Sequence, residues 1–556
     1  VSTQIATQIA TPRAVPSLSR PIPTRYRVLL GAVIVQLVLG TVYGYSIFWQ
    51  PLQAEVYPAV VTAAEAEALA AAGQPVAGAT VVATADDAAR VRAVRQGNLK
   101  YAFSICILSF AVTMVLAGRV QDVKGPRFTA LIGAGLLGGG FVLAGLLNQP
   151  AIFHLAHAGL VGGVCVLLLM FYHALAGHRG GGGGGGDEPS AARYIPIGIA
   201  AAVIVAGVTI GNAYVGRLGA ADKLLLLWGT IGLLAGAGIG FAYVCPIAAL
   251  IKWFPKKKGL VSGVAVAGFG FGAYLFKGDT IGALGYIERH DIVSFFLVHG
   301  VVALVAVGLG ALLLTNPPEA AADATPGPAP GAADVDPRPG ESSWRATLRR
   351  PAFYVLWLMF FSGAMAGLMV IGIVKVFAGN QLVAAATAGG ATLTEAKTAE
   401  LLKAGAAAVG WLAIFNAFGR VAWGFVSDWI GRTTAFVAMF AVQAVVMFVL
   451  AGMDTRLTIA VAAALVGFNF GGNFALFPSA TADLFGTKNL GANYGWVFTS
   501  YGVAGVVGIA AGNAAKALTG SYFAAFAAAG VLCLVSAALA VALHLAHRRA
   551  AAAAPA

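Results

Sequence analysis

The chain has 556 residues, 59% of them apolar and only 10% charged, where a soluble globular protein carries roughly 25% charged residues. So little charge cannot cover a water-facing surface of that size, which excludes an ordinary soluble protein and makes lipid the solvent for most of the outer face. The net charge of +13 comes without an aromatic-interleaved basic patch, so it reads as the Lys and Arg excess of cytoplasmic loops and predicts no nucleic-acid partner.

A membrane span needs about 20 mostly apolar residues. By that measure eight segments precede a polar gap, at residues 28–49, 101–118, 128–147, 151–176, 195–215, 224–250, 260–276 and 292–314. Six follow it, at 352–377, 407–426, 435–451, 457–477, 494–511 and 522–543. The runs are continuous rather than alternating, which excludes a transmembrane β-barrel. The expected class is therefore an all-α integral membrane protein of about fourteen spans, lodged in the cell inner (plasma) membrane. Its excess of Lys and Arg falls on the side that puts both termini in the cytoplasm. The stretch before Arg27 is polar and basic, and no small-residue cleavage site follows the first apolar run, so no cleaved signal peptide is expected.

Low-complexity segments punctuate the chain. Residues 317–340 are rich in Pro, Ala and Gly and read as a flexible cytoplasmic linker. The seven glycines at 180–186 lack the Lys-Ser/Thr ending and the preceding strand of a phosphate loop, and read as a flexible loop. The alanine-rich tail after Arg549 reads as disordered. Cys106, Cys165, Cys245 and Cys533 lie in apolar runs without metal-ligand spacing and read as small core residues. No cofactor or metal is expected.

An internal repeat organises the rest. Gly118, Asp122, Gly125 and Arg127 follow the second span, and Gly424, Asp428, Gly431 and Arg432 follow the second span beyond the linker. The same offsets at corresponding points of two halves indicate a duplication. The pattern resembles the short cytoplasmic loop of the major facilitator superfamily. Glycines there permit a tight turn and close helix approach, the Asp suits a helix N-terminus, and the Arg suits a helix C-terminus or a carboxylate. The resemblance implies two six-helix bundles, so two of the eight spans before the linker are surplus and read as an inserted hairpin. The expected organisation is a cytoplasmic tail (residues 1–27), an N-terminal bundle (28–315) with an extracellular loop insertion (51–100) and the hairpin with its glycine run (149–222), a linker (316–350), a C-terminal bundle (351–547) and a disordered tail (548–556).

Arg420 stands midway along the 407–426 segment, with no acidic residue deep in any span. A guanidinium at a helix centre costs on the order of 2.5–3.5 kcal/mol to insert. It therefore faces a cavity or a partner, or it snorkels to backbone carbonyls. An unpaired one suits a carboxylate ligand, held by two parallel hydrogen bonds. Asn416, one turn away on the same face, either shares that ligand or bonds between helices. Tyr43, Tyr45, Asn469 and Asn473 are candidate polar lining, and the glycine-rich stretch 467–477 reads as a broken helix facing protein or a cavity. Lys277 and Lys375 lie near outer span ends and either snorkel or line an anion entry path. His299 reads as a packed core residue, and His154 and His157 are too few ligands for a metal.

Further motifs narrow the family. Ala242-Tyr243-Val-Cys-Pro246 followed by Lys252-Trp-Phe-Pro255, Gly40-Thr-Val-Tyr43-Gly-Tyr45-Ser46, Gly471-Gly-Asn473-Phe-Ala-Leu-Phe-Pro478, and Asn493-Tyr494-Gly495 leading to Thr499-Ser-Tyr501-Gly502 resemble the oxalate/formate antiporter family, related to the monocarboxylate transporters. The resemblance covers both halves outside the long first loop and the hairpin. It implies a transporter rather than an enzyme, working as a monomer on a small carboxylate, with a proton as a possible second partner. It also implies that Arg420 contacts the substrate carboxylate and that Tyr243 lines the central cavity. Tyr501 stands where oxalate-transporting members carry a second cavity Lys, and one central cation fits a monoanion better than a dianion. Asn416 stands where monocarboxylate transporters carry an Asp linked to proton coupling.

Overall fold

A computed structural model describes residues 23–74, 76, 78–148, 162, 219–276, 282–318, 341–390 and 393–552. The predicted spans at 151–176 and 195–215, with the glycine run, His154 and His157, lie outside the described residues, as do Lys277 and most of the linker. Eleven helices among the described residues are long and apolar enough to cross a membrane, and one further apolar helix is shorter.

The first half opens with α1 (Thr24–Leu39), which runs into a 3-10 stretch (Gly40–Phe48) and the short α2 (Trp49–Val56). The segment expected as an outer loop carries structure of its own. Strands β1 (Val60–Thr62) and β2 (Thr80–Val82) pair in parallel around α3 (Ala63–Ala71), and α4 begins at Ala85. This two-stranded sheet is the only departure from an all-helical chain among the described residues. The helix α4 (Ala85–Lys124) thus begins about four turns before the predicted 101–118 span. Thr84 caps it by accepting from the Asp87 amide, Asp86 and Asp87 face its positive end, and Arg92 and Arg95 reach back to the carbonyls of Val60 and Pro58. Apolar periodicity alone cannot see such a polar extension.

Next come α5 (Pro126–Ala144), then α6 (Ala220–Leu227) continuing through a π-helical stretch (Trp228–Ala235) into α7 (Gly236–Trp253). The half closes with α8 (Lys258–Phe276), α9 (Ala283–Arg289) and α10 (Ile292–Leu313). The second half contains α11 (Trp344–Leu348), α12 (Pro351–Ala388), α13 (Glu395–Ala404), α14 (Ala406–Ile430), α15 (Arg432–Leu450), α16 (Arg456–Phe485), α17 (Leu490–Thr519) and α18 (Phe523–Ala552).

Packing repeats between the halves. In the first, α1 lies on α8, α4 on α7 and α5 on α10; in the second, α12 lies on α17, α14 on α16 and α15 on α18. The halves meet chiefly where α4 crosses α17 and α8 crosses α14. The apolar residues that α10 turns outward, among them Val301, Val305 and Leu309, are more than half exposed, which is the surface that lipid, not water, stabilises.

The glycines of the repeat divide their work. Gly125 and Gly431 both take φ of 88°, ending α4 and α14 in a conformation L side chains rarely adopt. Gly118 and Gly424 sit where the halves cross, with the backbones of Gly491 and Gly259 against them. The stretch 467–477 is not a break. It is continuous α-helix inside α16, and its glycines let the backbone approach α14 at Leu412 and Asn416.

Candidate functional site

Arg420 is fully buried at the junction of α14 with α8 and α16. Its Nε donates to Asn416 Oδ1 at 3.1 Å and its Nη1 to the Val266 carbonyl at 3.0 Å. The guanidinium lies 4.4 Å from the ring centroid of Phe474 and 5.6 Å from that of Phe269, a stacking that stabilises a desolvated cation. No described carboxylate pairs with it, and Nη2, near the hydroxyls of Tyr43 and Tyr243, has no hydrogen bond of good geometry among the described residues. Two of the alternatives raised for a buried arginine are therefore both present: one edge bonds to a carbonyl and an amide, and the other edge is left as an unused donor.

Four tyrosines surround this edge. Tyr43 from the 3-10 stretch and Tyr501 from α17 join hydroxyl to hydroxyl at 2.9 Å, bridging the two halves. Tyr243 from α7 and Tyr494 from α17 face one another and Arg420, and neither hydroxyl has a hydrogen bond of good geometry among the described residues. Aromatic rings pack around them. Phe110, Phe269 and Phe498 lie 5.0, 5.3 and 5.4 Å from Tyr243, and Phe498 and Phe474 lie 4.9 and 5.5 Å from Tyr501. Buried, unpartnered donors are costly at roughly 1–3 kcal/mol each. The Tyr243 and Tyr494 hydroxyls and the Nη2 edge of Arg420 together make a donor-rich setting that suits an acceptor-rich anion.

Of the predicted residues, Arg420, Asn416, Tyr243, Tyr501 and Tyr43 come together here. Asn416 holds the arginine by its Nε. Asn473 instead lies over Gly363 and donates to the Asn469 and Phe470 carbonyls of its own helix. Asn469 accepts from Trp423 Nε1, and Tyr45 packs on Phe48 and Phe103. His299 meets Thr41 Oγ1 and the rings of Phe141 and Phe295. Lys375 is exposed. Tyr494 was quoted only as part of a motif, although it stands seven residues before Tyr501, two turns along the same helix face. Phe269 and Phe474 carried no signal that separates a cavity wall from ordinary core.

The two Asp residues of the repeat close one end of the bundle. Asp122 accepts from the amides of Gly491 and Ala492, at 3.1 and 2.7 Å, on the first turn of α17. Asp428 accepts from the amides of Gly259 and Leu260, at 2.9 and 2.8 Å, on the first turn of α8. Each carboxylate thus crosses to the other half and binds the positive end of a helix. The arginines are not equivalent. Arg432 pairs with Asp428 at 2.7 Å and with Asp483 at 3.1 Å, hydrogen-bonds to Ser427, and shares Asp483 with Lys258 at 2.7 Å from the opposite half. Arg127 is exposed and forms no ion pair among the described residues.

No family model matches the chain. An uncharacterized MFS-type transporter, YhjX of Escherichia coli (strain K12), is 29% identical over 315 residues, covering 56% of this chain and 70% of that protein. Apicoplast pyruvate carrier 1 of Toxoplasma gondii is 29% identical over 48% of this chain and 56% of its own length. Among solved structures, the E. coli fucose:proton symporter FucP aligns with a TM-score of 0.51 at 10% identity, over 93% of this chain and 99% of that one. The human organic anion transporter MFSD10 aligns with a TM-score of 0.51 at 14% identity, over 93% and 100%. Such likenesses establish the fold, and the curated relatives make this a multi-pass membrane transporter. The oxalate:formate antiporter of Oxalobacter formigenes is 31% identical over 318 residues, 56% of this chain and 67% of that protein, and the chain belongs to the oxalate/formate antiporter family of the major facilitator superfamily.

Proposed function

We propose that this transporter carries small carboxylate anions by alternating access, with a monocarboxylate such as lactate or formate as the preferred cargo and oxalate/formate exchange as the alternative. The observation that carries this reading is Arg420: a fully buried guanidinium without an acidic partner among the described residues, whose Nη2 has no hydrogen bond of good geometry there. One carboxylate oxygen would take Nη2, and the hydroxyls of Tyr243 and Tyr501 would add donors. The aromatic walls would exclude water and strengthen each of these bonds. A single cation balances a single negative charge, which favours a monoanion over dianionic oxalate. Asn416 is neutral, so the two coupling modes consistent with the site are anion exchange and proton symport in which the substrate itself carries the proton.

In the same reading the end bearing Asp122, Asp428 and Arg432 is cytoplasmic, both termini are cytoplasmic, and the bundle works as a monomer in the inner (plasma) membrane. The two bundles, the linker between them and the inserted hairpin keep the boundaries given above. The crossed carboxylates form an inner gate, closed here, that must open to release cargo. The decisive test is counterflow in proteoliposomes with L-lactate, formate and oxalate. Arg420→Ala is expected to abolish uptake while insertion and monodispersity stay normal; uptake at the unmutated rate would remove Arg420 from the site.

A further inference from the structure

The first two turns of α17 bring together groups with separate tasks. The amides of Gly491 and Ala492 hold Asp122, the inner latch. Next, Asn493 is fully buried, donating to the Ser342 carbonyl at 3.0 Å and accepting from Thr347 Oγ1 at 3.1 Å. Asn489 also donates to that carbonyl, and the Lys488 amide donates to Glu341. The segment just before α12 thus clamps this turn in place. Tyr494 follows immediately. It is buried, packs on Phe498 at 5.7 Å, and turns its hydroxyl to Tyr243 and Arg420 without a hydrogen bond of good geometry among the described residues.

We propose that Tyr494 is the residue that couples cargo occupancy to the inner gate, an inference that rests on the carboxylate reading of the site. With the gate latched and the site empty, its hydroxyl is buried with only the poorly aligned Tyr243 hydroxyl beside it, which disfavours that state. A carboxylate on Arg420 supplies the missing acceptor and removes the penalty. Because Tyr494 is separated from Ala492 by a single residue on a clamped helical turn, a ligand contact at the hydroxyl acts on the same rigid piece of backbone that Asp122 grips. Occupancy and latching then share one equilibrium, and a ligand shifts it by its differential affinity for the two states. The loaded carrier passes through the sealed state more readily than the empty one.

Tyr494→Phe tests this, since the ring and its Phe498 contact remain. In proteoliposomes, exchange and net efflux of L-lactate and oxalate are measured separately. The variant is expected to lower the ratio of exchange to net efflux about tenfold, equivalent to about 1.4 kcal/mol, because the empty sealed state no longer carries the unsatisfied hydroxyl. A packing role would slow both fluxes alike, and an unchanged ratio overturns the proposal. A second measurement needs no ligand. Nitroxides at Lys124→Cys and Lys488→Cys, both exposed positions flanking the gate, report the latched distance in empty protein. Tyr494→Phe is expected to enrich that distance, and an identical distribution overturns the coupling role. Wild-type protein that moves neither anion would instead sink the carboxylate reading, while the nitroxide result still judges Tyr494.

Discussion

Arg420 is held in place by two bonds that leave one edge of its guanidinium open, and Asn416 supplies one of them. A hydrogen bond to a charged group contributes about 1.5–3 kcal/mol. Asn416→Ala should therefore raise the KM for carboxylate uptake by about tenfold or more with little change in protein yield, since the arginine gains freedom that binding must remove; concentration-dependent uptake measures it. Tyr501 offers a complementary test. Tyr501→Lys places a second cation near Arg420 and removes the hydroxyl pair with Tyr43. It should shift preference from lactate toward oxalate by at least about tenfold, read from competition between the two in a single uptake assay. Equal competition before and after the change would take charge count out of the selectivity.

At the scale of elements, the crossings of α4 with α17 and of α8 with α14 depend on the absence of side chains. A Cβ at Gly118 would collide with the Gly491 carbonyl, and one at Gly424 with the Gly259 carbonyl. Gly118→Val should therefore hold the inner gate open while leaving each bundle packed, because the obstruction lies between halves rather than within one. Maleimide labelling of Met114→Cys, beside Gly495 in the crossing, is expected to accelerate strongly in the Gly118→Val background. Labelling at the rate of the unobstructed protein would show that Gly118 does not govern the gate. The placement of these glycines was legible as a repeat, but their partners were not: sequence shows that a close approach is permitted, and only packing shows what approaches.

Across the whole molecule, the two ends of the pseudo-symmetric gate are unequal. Asp122 bonds only to amides, whereas Asp428 belongs to a network of Arg432, Asp483 and Lys258 that spans both halves. These ion pairs are part-exposed, so each contributes at most about 1 kcal/mol and weakens with salt. Asp483→Asn, which removes the negative charge that Arg432 and Lys258 share, should reduce the dependence of transport rate on ionic strength. It should shift the gate less than Gly118→Val does. Rate measurements between low and high salt separate the two.

The sequence by itself determined the solvent of the chain, its duplication and its central cation, because hydrophobic run length, spacing and an intramembrane charge are one-dimensional quantities with direct energetic meaning. It also placed no acidic residue deep in any span to pair with Arg420. Tertiary structure alone decided that the Val266 carbonyl and Asn416 restrain this arginine, that Asn473 turns to Gly363 instead, and that Tyr494 joins the site. It alone showed that α16 runs unbroken through its glycines and that Arg127 has no counterpart to the pairs of Arg432. The reason is common to all of these: which donors remain unsatisfied is a property of how helices distant in the chain face one another, and no local pattern records it.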